Sequence, residues 1–191
     1  MATVKGCNLP DDLLYDVENH IWFKELGDGT VKVGMTTVAT AMAGKLVAFT
    51  PKSVGKEVKA GKSCATVESG KWVGPAKVAA AGSVVAINEA LVANPSTANA
   101  DPYGEGWLIV LKPEDWNGVK PSLVPGAQVA GPYEAKMAAD GFAGLLGLTV
   151  SAQSSAAAEQ PAPIHGLVVR RLASAAPPQD RIHFFVEFQF H

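Results

Sequence analysis

Two heptapeptides 38 residues apart carry one pattern. Ala43-Gly44-Lys45-Leu46-Val47-Ala48-Phe49 and Ala81-Gly82-Ser83-Val84-Val85-Ala86-Ile87 both read Ala-Gly-polar-aliphatic-Val-Ala-apolar. They fall at equivalent places in two runs of short strands, so the chain reads as two similar half-units. Two such half-units can pack face to face and bury one another's apolar sides. The fold expected is mainly β, a flattened sandwich or barrel with short flanking helices. Aromatics are only 7% of the chain, so the core must rest on Val, Ala, Leu and Ile. Nineteen glycines and thirteen prolines promise many turns.

Around the repeat, Ile21, Phe23, Val31 and Val33 recur at period two on either side of Asp28-Gly29, which predicts a hairpin. Thr36 or Thr37 can cap a short helix that Gly44 ends. Cys64 to Glu68 reads as a strand, broken by Ser69-Gly70-Lys71-Trp72. Asn94 with Pro95 predicts one helical turn capped by Asn94. Trp107 to Leu111 is a continuous apolar strand. Short helices are expected around Trp116 and from Gly131 to Gly144.

Charge and length narrow the class. Sixteen Lys+Arg oppose eighteen Asp+Glu, a formal net charge of −2 that excludes a generally basic nucleic-acid binder. No apolar run approaches the ~20 residues a membrane span needs. The start of the chain lacks a hydrophobic signal segment, and two cysteines, Cys7 and Cys64, cannot form a disulfide scaffold or a structural zinc site alone. A cytoplasmic protein is expected. Thirteen lysines and no arginine precede residue 148; three arginines and no lysine follow it. A small-residue, Pro-rich linker opens that tail, and Phe184, Phe185, Phe188 and Phe190 close it. Residues 1–147 are therefore expected to be the functional domain. Residues 148–191 read as an extension, flexible or not native to that domain.

Catalytic motifs are missing. There is no phosphate-binding loop, dinucleotide fingerprint, HExxH motif or other metal-ligand set, so no catalytic residue and no metal are expected. His20 is the single histidine before the tail and reads as a strand-edge residue. Cys64 reads as a small buried apolar residue. Cys7, in an N-terminal stretch expected to be mobile, could react, though nothing nearby would lower its pKa. Lys71 differs from both. It lies midway between the repeat copies, beside a turn-permissive glycine, at what should be a hairpin tip. A solvated lysine there is a poor catalyst and a good acceptor for acylation.

Val67-Glu68-Ser69-Gly70-Lys71 resembles the lipoyl-lysine hairpin of the glycine cleavage H-protein family. Val85 to Leu91, Asn94-Pro95 and, most specifically, Asp101-Pro102-Tyr103-Gly104-Glu105-Gly106-Trp107-Leu108 resemble the same family at its spacing. Gly82 stands eleven residues after Lys71, as in that family. The resemblance covers about residues 13–137. It implies a lipoyl-type barrel-sandwich hybrid, lipoic acid in amide linkage on Lys71, and a carrier rather than an enzyme. Glu68, Ser69, Gly70 and Trp72 frame the attachment site. Glu68 holds the acidic position that a lipoate-attaching enzyme recognises. Biotin carriers usually flank the lysine with methionines, and Gly70 and Trp72 do not fit them.

Departures from ordinary H proteins suggest which carrier. Trp72-Val73-Gly74-Pro75 replaces the usual small residues, and Gly70 stands where Val is usual. Ala79-Ala80 replaces Pro and a β-branched residue, so the return strand is expected to be locally altered. Lys45, Lys52, Lys56, Lys59 and Lys62 fall within eighteen residues, opposed only by Glu57. Such a run is usually a solvated face; in the strand-turn region leading to the hairpin it could alter which partner docks. The stretch ESGKWVGP at 68–75, with VGMTTVATAMAGKLVAFTP at 33–51, resembles the lipoate-binding proteins of the heterodisulfide-reductase-like sulfur-oxidation system. That resemblance implies an arm carrying sulfur intermediates, with the heterodisulfide-reductase-like complex, a lipoate-attaching enzyme and a lipoamide dehydrogenase as partners. Nucleic acid and membrane are not expected partners. The alternatives are an H protein carrying the aminomethyl group in glycine cleavage, and an interaction module without lipoate. Removing residues 148–191 is expected to leave thermal stability and lipoylation of Lys71 intact. A large fall in melting temperature of the truncated chain, or its failure to be lipoylated, would place the tail in the domain.

Overall fold

The computed structural model describes residues 1–145. The extension expected at 148–191 lies outside the described residues. Twelve strands and five α-helices follow in chain order: β1 (Ala2–Val4), β2 (Cys7–Leu9), β3 (Leu14–Asp16), β4 (Ile21–Glu25), β5 (Val31–Met35), α1 (Thr37–Ala43), β6 (Leu46–Pro51), β7 (Glu57–Val58), β8 (Lys62–Ser69), β9 (Val73–Val78), β10 (Gly82–Ile87), α2 (Glu89–Ala93), α3 (Thr97–Ala100), β11 (Trp107–Pro113), α4 (Trp116–Val119), β12 (Val124–Pro125) and α5 (Ala130–Ala139). A seven-stranded antiparallel sheet runs β12-β3-β4-β5-β11-β10-β7, a three-stranded sheet runs β6-β8-β9, and β1 pairs with β2. This is the mainly β sandwich that the repeat predicted.

The repeat is visible in the pairing. Its first copy opens β6 in the small sheet; its second opens β10 in the large one. In each copy the register slips at the same residue, between Leu46 and Ala48 and between Val84 and Ala86. The bulged residues, Val47 and Val85, are equivalent in the two heptapeptides and both are exposed. The two repeat glycines serve different ends. Gly44 caps α1 at φ 82°, a left-handed value that favours glycine. Gly82 lies so near the Lys112 carbonyl oxygen that a Cβ would fall 2.2 Å from it.

The sheets enclose one core. Ile21, Phe23, Val31 and Val33, the predicted period-two set, meet Leu46, Phe49, Cys64, Val67, Ala76 and Val78 of the small sheet. Cys64 is fully buried as expected, and burial pushes its thiol up to about 12. Ala80 is buried and Ala79 packs on this core, in the bend between β9 and β10 rather than in a strand.

A second core, not foreseen, lies on the far face of the large sheet. Trp22, Tyr15, Val38, Tyr133 and Met137 fill it with Cys7 and Leu9. Trp22 sits between two outlets of its N–H, the carbonyls of Met35 at 2.9 Å and Pro102 at 3.0 Å. The expected mobility at Cys7 is overturned. Its side chain is buried in β2, and burial raises its pKa. The turn expected after Asn94 is also shifted. Asn94 ends α2 and accepts a hydrogen bond from the Ser96 hydroxyl at 2.8 Å, so α3 starts at Thr97. Thr36 caps α1 by accepting from the Ala39 N–H at 3.3 Å.

His20 is not a strand-edge residue. It precedes β4 at φ 55° and is buried beneath α5, its ring tilted against Tyr133. Nε2 lies 3.1 Å from an Asp140 oxygen and Nδ1 has no partner. Burial holds the imidazole pKa below its usual 6.5, against the opposing pull of Asp140. The unfolded chain therefore takes up a proton here before the native one does. Stability should be full above pH 6.5 and fall as pH drops towards the folded pKa. Urea melts between pH 7.5 and pH 5 should show this slope. His20→Asn, which tolerates positive φ, should flatten it, and an unchanged slope would assign the loss to other groups.

Candidate functional site

Strand β8 alternates inward Ala65 and Val67 with outward Thr66 and Glu68, then stops at the buried Ser69, whose N–H donates to the Trp72 carbonyl at 2.7 Å. Gly70 and Lys71 form the two-residue loop that this bond closes. Both are exposed, and a Cβ on Gly70 would touch nothing within 4 Å. The Ser69 hydroxyl lies 3.4 Å from the Lys71 N–H and from the Trp72 carbonyl, bracing the loop from inside. Lys71 is thus presented at the tip of a rigid hairpin.

The Lys71 stem lies across Gly44. A Cβ on Gly44 would be 3.2 Å from Lys71 Cε, so glycine is what allows the approach. The two border a shallow depression completed by Ala43, Lys45, Val47 and Ser69. Trp72 folds back over Gly74, where a Cβ would fall 2.0 Å from the indole. The ring is half-buried and packs on the main core. Glu68 stands on the outer face between Ala48 and Val73, its register partners on β6 and β9. Glu68, Ser69, Gly70, Lys71 and Trp72 therefore sit together, as the resemblance implied.

The lysine run does not join them. Lys62 starts β8 and the hairpin ends it, so this eight-residue strand separates them by roughly 23 Å at about 3.3 Å per residue. The Lys52 N–H bonds the Cys64 carbonyl, and the Lys62 N–H that of Lys59, which places these residues at the remote end. Lys45 alone shares the hairpin's end. The run's place in the sequence, leading up to the hairpin, is therefore no guide to its place in the fold: an extended strand puts its two ends at opposite poles.

One residue of the site escaped the sequence reading. Asn99 on α3 donates to the carbonyls of Gly44 at 2.9 Å and Thr40 at 3.3 Å, and accepts from the Leu46 N–H at 2.9 Å. It ties the end of α1 to the start of β6, directly beneath Lys71. Its signal was an asparagine at the end of a turn-forming stretch, which sequence alone does not distinguish from a turn residue. Asn99→Ala should lower stability by about 1–3 kcal/mol by leaving a carbonyl and the Leu46 N–H without partners. A urea melt with an unchanged midpoint would refute the tie.

Among the described residues no cluster of His, Cys, Asp or Glu is placed to hold a metal ion, and no helix is long and apolar enough to cross a membrane. The site offers an amine on a stiff loop beside a shallow rest surface. That suits acylation of the amine and swinging of whatever it then bears.

Known proteins share this arrangement. Residues 13–135 match the glycine cleavage H-protein family. Glycine cleavage system H protein 5 of Aquifex aeolicus is 52% identical over 134 residues, 68% of this chain and 90% of that one. A probable glycine cleavage system H protein 2 of Sulfurisphaera tokodaii is 39% identical over 132 residues, 68% of this chain and 89% of its own. The crystal structure of a glycine cleavage system H protein from Mycobacterium marinum superposes with a TM-score of 0.58 at 36% identity, covering 65% of this chain and 98% of that one. Proteins of this family are carriers that bear lipoate on a lysine. With its fold and its matched span, this chain belongs to the glycine cleavage H-protein family.

Proposed function

We propose that Lys71 bears lipoate in amide linkage and that the chain is an H protein, carrying an aminomethyl group between enzymes of glycine cleavage. The observation that carries this is Lys71 itself. It is the exposed tip of a closed two-residue loop, its ammonium has no partner among the described residues, and Gly44 and Gly70 leave room around its stem. Lipoate held there would supply a dithiolane that can be opened, loaded and reoxidised. The chain's own part is mechanical. Ser69 braces the loop, Trp72 packs the hairpin onto the core, and the stiff sheet fixes where the arm begins. Recognition by a lipoate-attaching enzyme falls to Glu68, half-exposed three residues before the lysine. Tethering raises the arm's local concentration at each partner without adding a catalytic group. A lipoamide dehydrogenase is the natural agent of its reoxidation. A cytoplasmic setting belongs to the same proposal.

The sequence favoured a sulfur-oxidation carrier. The glycine-cleavage reading is the better supported, because the relatives reported above are named glycine cleavage H proteins. One observation keeps the second reading: Trp72-Val73-Gly74-Pro75 follows the lysine where ordinary H proteins have small residues. The arm would then pass sulfur intermediates to a heterodisulfide-reductase-like complex.

Expression in a lipoylation-competent host should yield a chain heavier by one lipoyl group, mapped to Lys71 by peptide mass spectrometry. Lys71→Arg should remain unmodified, lose all carrier activity, and stay within about 0.5 kcal/mol of wild-type stability, because it changes an exposed loop. An unmodified wild type would leave only an interaction module. Turnover of glycine by the lipoylated chain with the other glycine-cleavage enzymes would support the first reading. Failure there, with turnover in the sulfur system, would support the second.

A further inference from the structure

Charge is divided between two parts of the chain. Residues 45–77, which form the small sheet, β7 and their loops, contain seven lysines and two glutamates, a net charge of +5. The other described residues contain six lysines and thirteen carboxylates, a net charge of −7. The partners differ in the same way. Outside the segment, Lys24 pairs with Asp12, Lys120 with Glu25, and Lys136 with Asp140 and Glu18. Lys32 lies 5.3 Å from the centre of the Trp107 ring, and Lys5 donates to the Phe142 carbonyl. None of the seven lysines from 45 to 77 has an ion pair or a side-chain hydrogen bond among the described residues. Outside the segment Lys112 alone lacks such a contact among the described residues; within it every lysine does, so the segment's positive charge stands uncompensated.

That segment also carries the arm. The outer face of the small sheet runs from Lys77, opposite Ser63, across Thr50, Thr66 and Pro75, to Glu68 and the hairpin at the other end, and the exposed Lys52, Lys59 and Lys62 border it at the Lys77 end. The hairpin end is apolar, with Val47 59% and Val73 62% exposed. A standard interface of about 800 Å² per partner is roughly 28 Å across, enough to reach from Lys62 to Lys71. Acylation of Lys71 would remove one positive charge and leave the segment positive.

We propose that the outer face of the small sheet is a docking surface for an acidic protein surface, the rim around the active site of the enzyme that acylates Lys71. The lysines at the remote pole steer and orient the carrier, and Val47 and Val73 seat the hairpin end against the mouth of the site. Steering of this kind acts on the association rate and weakens as salt rises.

The proposal rests on Lys71 being the acylated residue, and the test separates the two. Purified lipoate-attaching enzyme is given the full chain, and kcat/KM for lipoylation is measured at low and high salt. Changing Lys52, Lys59 and Lys62 together to Gln should lower kcat/KM about tenfold at low salt and hardly at high salt. A charge-matched control, Lys24, Lys32 and Lys120 to Gln, should change it less than about twofold, since those lysines lie outside the segment. Thermal melts of both variants check that each is folded. If the wild type is lipoylated equally fast at all salt concentrations, or the first variant matches the control, the docking surface is refuted while the carrier reading stands. If the wild type is never lipoylated, the carrier reading itself fails. Retention of the wild type on anionic vesicles or duplex DNA at physiological salt would reassign the surface to a membrane or a nucleic acid and overturn the proposal.

Discussion

The inner face of the three-stranded sheet has one place to be buried: against the large sheet. Leu46, Phe49, Cys64, Val67, Ala76 and Val78 supply it, and Phe23, Val31, Val33, Leu108 and Ile109 receive it. With so few aromatics, this core gains its stability from many small contacts rather than from a few large anchors. The hairpin bearing Lys71 inherits its rigidity from that seam. Strand β8 is paired on both sides along its length. Its last inward side chain, Ser69, is still buried at the loop. This hairpin leaves the sheet at Gly70 and Lys71, so a long arm on the lysine would start from a fixed root.

Much of this was legible, and for identifiable reasons. Period two marked β4 and β5 because their inner faces alternate cleanly, and Asp28-Gly29 marked their turn. The repeat marked more than was read from it: the shared valine is the bulged residue in both copies. The second core stayed hidden because Trp22 lies between two residues already assigned to the other face. A strand buried on both sides shows no alternation to read. Cys7 and His20 were misplaced for the same reason. Their burial comes from α5, more than a hundred residues away in sequence, and local pattern carries no trace of it. Lys71 and its neighbours were placed well because a hairpin tip is a local structure. The lysine run was misplaced because a sequence window of eighteen residues, once extended into strands, spans the height of the sandwich.

The two bulges bear on how the arm's surroundings are built. A bulge turns one residue out of register and sharpens the local twist. At Val47 it pushes an apolar side chain into solvent beside Lys71, where a regular strand would alternate it with its neighbours. Gly44, held at positive φ and tied by Asn99, brings the preceding backbone under the lysine stem. Bulge, glycine and asparagine act on one short junction between α1 and β6. That junction forms one wall of the depression beside Lys71, and no part of it belongs to the hairpin that bears the lysine.

Separate cores allow separate duties. The buried ionisable groups of the described residues, His20 with Asp140 and the raised tyrosines Tyr15 and Tyr133, all lie on the far side of the large sheet. On the small sheet the buried titratable side chain is Cys64, a thiol held neutral by burial. His20 meets α5 through the Tyr133 ring and bonds Asp140 at the end of that helix, on the face of the large sheet turned away from the hairpin. The buried histidine and the hairpin are thus separated by the large sheet and by the main core that packs the small sheet against it.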